Sequence, residues 1–278
     1  MGAQLKRSLK VSRWGLLFLG ILSWLLLFSW VPAQAFSQLG GYTCAACHQE
    51  RAGVSSRTYE GRQVCPECEQ ASLPRCFICK IPIRGGGLRF SDGRRNCDLH
   101  SQRVVTTQSE VERYFREAWS LIARYVSPQI KCDPDLTSVH IVDYNLFVER
   151  LRLSGKAGES RAHGLTLTIN SGGFVTMPVS QVFVLQGLPD EHALSVIVHE
   201  CGHVWQNANL MRPLDKTRNE GFCQWLSYKV NQGLGRRQQM AELLARRDPY
   251  YGVGLQVYLQ LEKQLGIEGL LDYALGRD

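Results

Sequence analysis

The sequence predicts an α+β domain that follows a small cysteine-rich module. Cysteine pairs recur in the first half of the chain, a block of β-branched segments comes next, and helical periodicity fills the last third. Because the strands and most of the helices lie in separate blocks, the pattern favours an α+β arrangement. A chain of 278 residues, 44% of them hydrophobic, has enough apolar material for one sizeable core and a smaller appended unit.

The first 35 residues have the features of an export signal. Four basic residues precede an uncharged apolar run over residues 14–31, and Ala33-Gln34-Ala35 is typical of a signal-peptidase cleavage site. The run is long enough to be an uncleaved membrane anchor instead. In either case the positive charges before it predict that the rest of the chain is exported (periplasmic, luminal or secreted), with membrane contact only through an uncleaved N-terminal segment.

The charge of the chain gives little support for a nucleic-acid partner. The formal net charge is +7, but residues 1–35 contain four of the 32 Lys and Arg and no acidic residue. The remainder has 28 basic and 25 acidic residues, a surplus of only three. Since nucleic-acid binding normally requires a pronounced basic surface, we expect no nucleic-acid partner.

Seven cysteines and one histidine form four pairs, each with two residues between its members. The pairs are Cys44-x-x-Cys47, Cys65-x-x-Cys68, Cys76-x-x-Cys79 and Cys97-x-x-His100, and each position of the first two recurs 32 residues later. A tetrahedral zinc ion accepts thiolate or imidazole, whereas a disulfide framework does not favour exchange of cysteine for histidine. The spacing therefore predicts a double zinc module over residues 44–100, with a linker over 36–43 before it and a larger domain over 101–278 after it.

Sequential pairing assigns these ligands to two structural zinc ions, as two copies of one unit require. One set is Cys44, Cys47, Cys65 and Cys68, and the other is Cys76, Cys79, Cys97 and His100. Four protein ligands leave no open position for chemistry, but the ions can hold together a segment with few large apolar residues and present a surface to a protein partner. Disulfide bonding is the alternative, because zinc thiolates oxidise outside the cytoplasm. His48 is expected at the surface.

The larger domain is expected to begin with a helix at Thr107, because Thr107-x-x-Glu110 forms a capping-box pattern and apolar residues follow at helical spacing. Segments rich in β-branched residues predict strands over 139–144, 164–169 and 182–186. A helix is then expected over 191–207, with Asp190 as its N-cap. Further helices, divided by Gly and Pro, are expected over 216–232, 238–247, 253–264 and 267–275.

The helix expected over 191–207 contains His199-Glu200-x-x-His203. Residues at i and i+4 share a helix face, so both imidazoles can reach one ion, while Glu200 can hold a water without being a ligand. A catalytic zinc needs a third protein ligand, and Glu220 lies near the start of the next helix. Two core histidines satisfied by backbone carbonyls are the alternative, but burial of two His and one Glu is costly without an ion. The sequence therefore predicts a third, catalytic zinc site.

His199-Glu200-x-x-His203 followed by Asn219-Glu220-Gly221-Phe222 resembles the gluzincin peptidases, whose second helix often supplies the third ligand. From about Cys65 to the C-terminus, the chain also resembles the plant LIM-domain peptidases that ubiquitin activates and that limit organ growth. The shared features are PRCFICKIPIRGGGLRFSDGRRNC at 74–97, GLP before the helix, Glu-Gly-Phe-Cys-Gln at 220–224, and Asp-Pro-Tyr-Tyr-Gly-Val-Gly at 248–254.

The resemblance implies a gluzincin-like fold, a LIM-like zinc module and metal-assisted hydrolysis of amide bonds in a protein or peptide substrate. Zinc on His199, His203 and Glu220 would lower the pKa of a water, and Glu200 would accept its proton and pass it to the leaving amine. The resemblance also suggests Tyr251 as a second oxyanion donor, although an ordinary packing tyrosine is an equal alternative.

Several departures from that family limit what is carried over. The plant proteins have ubiquitin-interacting helices, for which we expect no room here, and they tend to have a second Glu where this chain has Asn219. Cys201-Gly202 replaces bulkier residues, and Cys223 is expected to pack as a small hydrophobe. We therefore expect an extracytoplasmic zinc peptidase without ubiquitin dependence. The alternative is a non-catalytic adaptor that binds a protein partner through the zinc module, against which an intact Glu200 argues.

Overall fold

The computed structural model describes residues 40–59, 61–158, 162–169, 179–210 and 213–277. The expected export segment and most of the expected linker lie outside the described residues. Within the described ranges, no helix is both long enough and apolar enough to cross a membrane. The chain is a mixed α+β protein with several small sheets.

The cysteine module is built from short antiparallel hairpins and one short helix. Its elements are β1 (Tyr42–Thr43), β2 (Glu50–Arg51), β3 (Arg57–Tyr59), β4 (Arg62–Val64), α1 (Pro66–Gln70), β5 (Leu88–Arg89), β6 (Arg95–Asn96) and a 3-10 turn at Leu99–Ser101. Strand β1 pairs with β2, and Tyr42 is buried among the module's cysteines. The linker expected over residues 36–43 therefore stops short of Tyr42, because that side chain belongs to the module.

The 32-residue repeat of the sequence recurs in the backbone hydrogen bonds of the module. Ala45 N donates to Gln63 O at 2.8 Å, and the equivalent pair one period later, Phe77 N to Arg95 O, is 2.7 Å apart. The module is thus two copies of one fold. The two copies differ in side-chain size at the donor position: the first copy has the small Ala45 and the second has the large Phe77.

The larger domain consists of a three-stranded sheet surrounded by helices. Its elements are β7 (Val104–Val105), α2 (Gln108–Tyr125), β8 (Thr137–Val142), α3 (Tyr144–Leu153), β9 (Gly164–Ile169), β10 (Val179–Leu185), β11 (Leu188–Pro189), α4 (Asp190–Asn209), α5 (Lys216–Gly233), α6 (Arg237–Ala245) and α7 (Gly252–Ala274). Strand β10 is central, parallel to β8 and antiparallel to β9. Strand β9 is thus at one edge of the sheet, and it contacts α4.

Helix α2 begins where the capping box predicts. The Thr107 side chain accepts a hydrogen bond from Glu110 N, and the Glu110 carboxylate accepts one from Thr107 N at 2.9 Å. This reciprocal pair satisfies two backbone donors that the helix itself cannot. The face that α2 buries has helical spacing and consists of Val111, Phe115, Ala118 and Ile122.

The start of α4 differs from the prediction. Asp190 is the first residue of the helix, and Pro189 occupies the N-cap position. Asp190 was expected to be the N-cap, but its N–H already bonds Arg103 O, and its carboxylate pairs with the Arg103 guanidinium. The backbone is held there by the pairing of β11 with β7, which a local cap pattern cannot reveal.

Other element boundaries differ as well. The strand expected over 139–144 covers 137–142, because Asp143 caps an unexpected helix, α3, with its side chain accepting from Leu146 N. The helices expected over 253–264 and 267–275 are two arms of α7, bent at Gly266, whose φ of 67° is left-handed. A backbone with that φ strongly favours glycine, so the bend lies where the sequence allows it.

The module is fixed to the larger domain beside the start of α4. Asn96 Nδ2 donates to Gly187 O at 2.8 Å, and both groups are buried. Gly187 has a φ of 85°, and a Cβ there would lie 2.4 Å from the Phe90 ring, so a side chain at this position would push the module away. Phe77 of the second repeat packs against His163 next to β9. The module therefore adjoins the edge strand.

Candidate metal centre

Two helices bring together the residues expected to form the catalytic site. His199 and His203 lie one turn apart on α4, with ring centroids 4.9 Å apart. Glu220 on α5 places Oε2 3.1 Å from His199 Nε2 and 3.3 Å from His203 Nε2. Their side chains are almost fully enclosed by protein, that of Glu220 being 5% exposed. One carboxylate oxygen and two imidazole nitrogens thus converge on one point.

These separations match what a tetrahedral metal requires of its ligands. With metal–nitrogen and metal–oxygen bonds of roughly 2.0–2.1 Å, the edge of a tetrahedron is roughly 3.3 Å. The 3.1 and 3.3 Å distances of Glu220 from the two histidines are close to this value. His199, His203 and Glu220 therefore fit a zinc ion, with a fourth position left for water.

Cys223 also lies within 4.8 Å of the ligand atoms of both histidines. Its sulfur, however, faces the other ring nitrogen of His203, at 3.3 Å from Nδ1. One imidazole plane cannot direct Nε2 and Nδ1 at the same ion, so Cys223 and Glu220 cannot share a metal through His203. Burial raises the pKa of the Cys223 thiol to about 11, which keeps it neutral near pH 7. Of the two candidates, Glu220 is the better third ligand.

Asn219 determines which nitrogen of His203 is available to a metal. Its Oδ1 lies 2.9 Å from His203 Nδ1, and an amide oxygen can only accept, so Nδ1 carries the proton and Nε2 has the free lone pair. The sequence resemblance gave Asn219 no role beyond a departure from the plant family. The structure places it and Glu220, consecutive residues of α5, on the two nitrogens of one imidazole.

Charges within the cluster shift the protonation of its members. Burial opposes ionisation of Glu220, but His203 and His199 outweigh burial and hold the pKa of this carboxyl well below its usual range. Glu220 is therefore a carboxylate at neutral pH, the form that binds a cation.

Glu200 projects toward the edge strand rather than into the cluster. Thr166 of β9 donates from Oγ1 to Glu200 Oε2 at 2.7 Å, and both residues are buried. Gly164, on the same strand, leaves room for the carboxylate, because a Cβ there would lie 2.6 Å from Glu200 Oε1. Sequence analysis did not single out Gly164 or Thr166. The two residues are separated by one residue in the strand predicted over 164–169, and positions i and i+2 lie on the same face of a strand.

Tyr251 lies next to the cluster. Its ring centroid is 6.0 Å from that of His199, and its backbone N donates to Asp248 Oδ1 at 2.7 Å. The Asp248-to-Gly254 segment thus serves partly to bring an aromatic side chain to the site. The role of Tyr251 as an oxyanion donor stays a prediction.

The cysteine module contains two further clusters, each grouped by sequential pairing: Cys44, Cys47, Cys65 and Cys68, and Cys76, Cys79, Cys97 and His100. All ten cysteines of the chain are free thiols in the structure. Within the second cluster, Cys79 Sγ lies 3.9 Å from Cys97 Sγ, which in turn lies 3.3 Å from His100 Nδ1. A tetrahedral zinc with thiolate and imidazole ligands has edges of roughly 3.3–3.8 Å. Both clusters could bind zinc.

Backbone donors in the first cluster stabilise a thiolate. Burial opposes ionisation of Cys44, but the N–H groups of Cys65 and Ala46 point at its sulfur, at 3.3 and 3.5 Å. Together they lower the pKa of the Cys44 thiol to about 6. His48 is exposed, as expected, and lies outside the cluster.

The fold and these clusters define a mixed α+β protein with candidate zinc sites. Residues 160–242 match the DA1-like family model, described as Protein DA1. That region includes His199, Glu200, His203 and Glu220, but neither the cysteine module nor Tyr251. Protein DA1 of Arabidopsis thaliana is 23% identical over 202 residues, 60% of this chain and 36% of that protein. The chain thus spans about a third of the length of this relative. No solved structure matches the chain.

Proposed function

We propose that this chain is a zinc-dependent peptidase that acts outside the cytoplasm on protein or peptide substrates. The observation that carries the proposal is the convergence of His199 Nε2, His203 Nε2 and Glu220 Oε2, with Glu200 held beside them on the edge-strand side. The similarity of residues 160–242 to the DA1-like family supports it, as does the resemblance of the motifs to plant LIM-domain peptidases.

The residues of the chain have separate tasks in this proposal. His199, His203 and Glu220 would hold the zinc ion, which would supply Lewis acidity when bound. Glu200 accepts the proton of the attacking water and delivers it to the leaving amine. Thr166 fixes the orientation of the Glu200 carboxylate through its 2.7 Å hydrogen bond.

Strand β9 is the element that orients the substrate in this proposal. It lies at the edge of the described sheet and contains Gly164 and Thr166, which flank Glu200. An extended peptide can pair with an edge strand through backbone hydrogen bonds, which do not depend on the side chains of the peptide. The scissile carbonyl is thereby brought to the catalytic residues.

Substitution of Glu200 tests the proposal directly. Full-length chain loaded with zinc is incubated with an unfolded protein, alongside Glu200→Gln and the exposed-helix control Glu268→Gln. Wild type and Glu268→Gln should cleave equally, whereas Glu200→Gln should be slower by roughly 10²- to 10⁴-fold, the usual contribution of a general base. Zinc content must be unchanged in both variants.

Equal cleavage by Glu200→Gln and wild type contradicts the proposal. So does the absence of cleavage by a wild-type chain whose catalytic site is shown to contain zinc.

A further inference from the structure

Arg246, in the connection between α6 and α7, stands beside the candidate metal centre. Its Cζ lies 5.7 Å from the centroid of the Tyr251 ring, which lies 6.0 Å from that of His199. The phenol ring of Tyr251 is therefore near both the guanidinium and the candidate ligand His199. Arg246 is exposed to solvent, although nearby protein lowers the pKa of its guanidinium. The guanidinium is thus accessible to a ligand beside the metal centre.

The guanidinium has no anionic partner among the described residues. The carboxylates of Asp248, Glu242 and Glu220 act on its charge, but none of them forms an ion pair with it within 4.0 Å. By contrast, the buried Arg94 of the cysteine module is paired with Asp92 at 2.8 Å. Because Arg246 is exposed and forms no such ion pair among the described residues, its guanidinium can bind an anionic ligand.

Two histidines whose pKa values the charge of Arg246 lowers are neutral near pH 7. His163, next to β9, and His192, in the first turn of α4, face each other with Nδ1 and Nε2 2.7 Å apart. Burial is the main cause of the lowered pKa of each ring, and the charge of Arg246 contributes to both. The pKa of His192 is about 4.

Other cations reinforce this positive potential. Lys80 and Arg94 also lower the pKa of His163, and both lie over the Phe77 ring, at 4.8 and 4.9 Å. Arg246 and Lys80 thus add positive charge near the start of β9, whereas the charge of Arg94 is balanced by Asp92 and the two histidines add none near pH 7. Positive charge beside the metal centre favours an anionic ligand.

We propose that Arg246 binds a carboxylate of the peptide substrate and makes the enzyme selective for it. The inference rests on the proposed peptidase function and deepens it by naming the substrate class. A planar guanidinium with five N–H donors binds a carboxylate through two parallel hydrogen bonds, a geometry that a carboxamide cannot reproduce.

The position of Arg246 limits where that carboxylate can be. The two centroid separations, 5.7 and 6.0 Å, together span less than 12 Å. An extended chain advances roughly 3.3–3.6 Å per residue, so the carboxylate belongs to a residue within about three positions of the scissile bond. Either an acidic side chain or the C-terminal carboxylate of a short peptide satisfies this limit.

Matched peptides separate these sources. One pair has a blocked C-terminus and differs only in Glu or Gln near the scissile bond. A second pair is neutral and differs only in a free or an amidated C-terminus. Wild type should cleave the carboxylate member of at least one pair with kcat/KM about 10- to 100-fold higher, the value of a charged hydrogen bond. The pair that responds identifies the source.

Variants at Arg246 test the residue itself. Arg246→Gln should remove the discrimination, mainly through KM, while Arg246→Lys should retain part of it. Arg247→Gln is the matched control, since its neighbouring guanidinium donates to Leu244 O at 3.2 Å, away from the proposed ligand. That variant should discriminate as wild type does.

Peptide binding to the Glu200→Gln chain provides a readout that needs no turnover. The carboxylate peptide should bind more tightly than its amide partner, and the added Arg246→Gln change should abolish the difference. Equal binding of both partners, or discrimination that survives Arg246→Gln, overturns the inference. If the binding difference is present but no peptide is cleaved by the zinc-loaded wild type, the proposed catalysis fails while Arg246 remains a carboxylate site.

Discussion

His203 is held from both sides by consecutive residues of one helix. Glu220 Oε2 lies 3.3 Å from its Nε2, and Asn219 Oδ1 lies 2.9 Å from its Nδ1. Since the carboxylate faces the metal position and the amide faces away from it, the pair orients the ring and sets its tautomer at once. The second, non-ligating partner of a metal-bound histidine normally contributes to both affinity and activity.

Replacement of Asn219 by leucine should weaken zinc binding at this centre by roughly 10- to 100-fold, because the acceptor for His203 Nδ1 is lost. Competition with a chelator of known affinity, on the full chain, measures the change. Asn219→Asp keeps an acceptor at the same position and should bind zinc within a few-fold of wild type. Wild-type affinity in Asn219→Leu would show that the hydrogen bond has no such role.

At the scale of elements, the position of Glu220 depends on how closely α5 and α7 approach. Gly221 on α5 and Gly254 on α7 touch backbone to backbone, and a Cβ on Gly221 would lie 2.8 Å from Gly254 Cα. Both glycines belong to the segments that carry the family resemblance. Packing explains why both positions are glycine: the two residues set the distance between α5 and α7 next to the metal ligand Glu220 and next to Tyr251.

Gly221→Ala should lower the free energy of unfolding by roughly 1–3 kcal/mol, because the contacting atoms are backbone and cannot rotate away. This loss exceeds the gain of about 1 kcal/mol that alanine brings to a helix interior. Chemical denaturation measures the change. Gly158→Ala is the control, since no atom lies within 4 Å of a Cβ at that position. A stability change in Gly221→Ala as small as in the control would contradict the close-approach argument.

At the scale of the whole molecule, the described residues include three separate groups of side chains that could hold a metal ion. The two module clusters use seven cysteines and His100, so neither needs His199 or His203. The module clusters have four protein ligands each, whereas the centre on α4 and α5 has three. A closed shell is typical of structural zinc, and an open one of catalytic zinc.

The number of zinc ions and the number of reduced thiols, both measured on the full-length chain, should therefore agree with these sites. We expect three zinc ions per chain and ten reduced thiols once the metal is chelated in denaturant. If the module were oxidised, at most one zinc would be found, and six of its seven cysteines would be in disulfides, leaving four free thiols. Because zinc supplies the folding free energy of so small a module, chelation should also unfold residues 44–100. Elemental analysis, thiol titration and circular dichroism give the three values.

Local sequence patterns predicted the elements with distinct signals and missed those without them. The capping box placed the start of α2, and the 32-residue cysteine period predicted the two-copy module and its sequential clusters. Helix α3 was missed although Phe147 and Leu151 are buried at helical spacing, because the strand predicted to end at residue 144 covered its Asp143 cap and its first residue. The Asp190 cap was wrong because a distant β-pair fixes that backbone. Patterns formed by residues that are close in the sequence therefore predicted local structure, whereas structure that depends on long-range strand pairing was not predicted.

The sequence by itself determined the candidate ligands, since helical spacing places His199 and His203 on one face and cysteine spacing defines each module cluster. Only the tertiary structure decided how the other residues join them: Asn219 on His203, Thr166 and Gly164 on Glu200, and Arg246 beside Tyr251. The spacing within each ligand pair is local, because two side chains of one short segment reach the same ion. The orientation of those ligands, and the charged groups around them, depend on strands and helices that meet only in the folded chain.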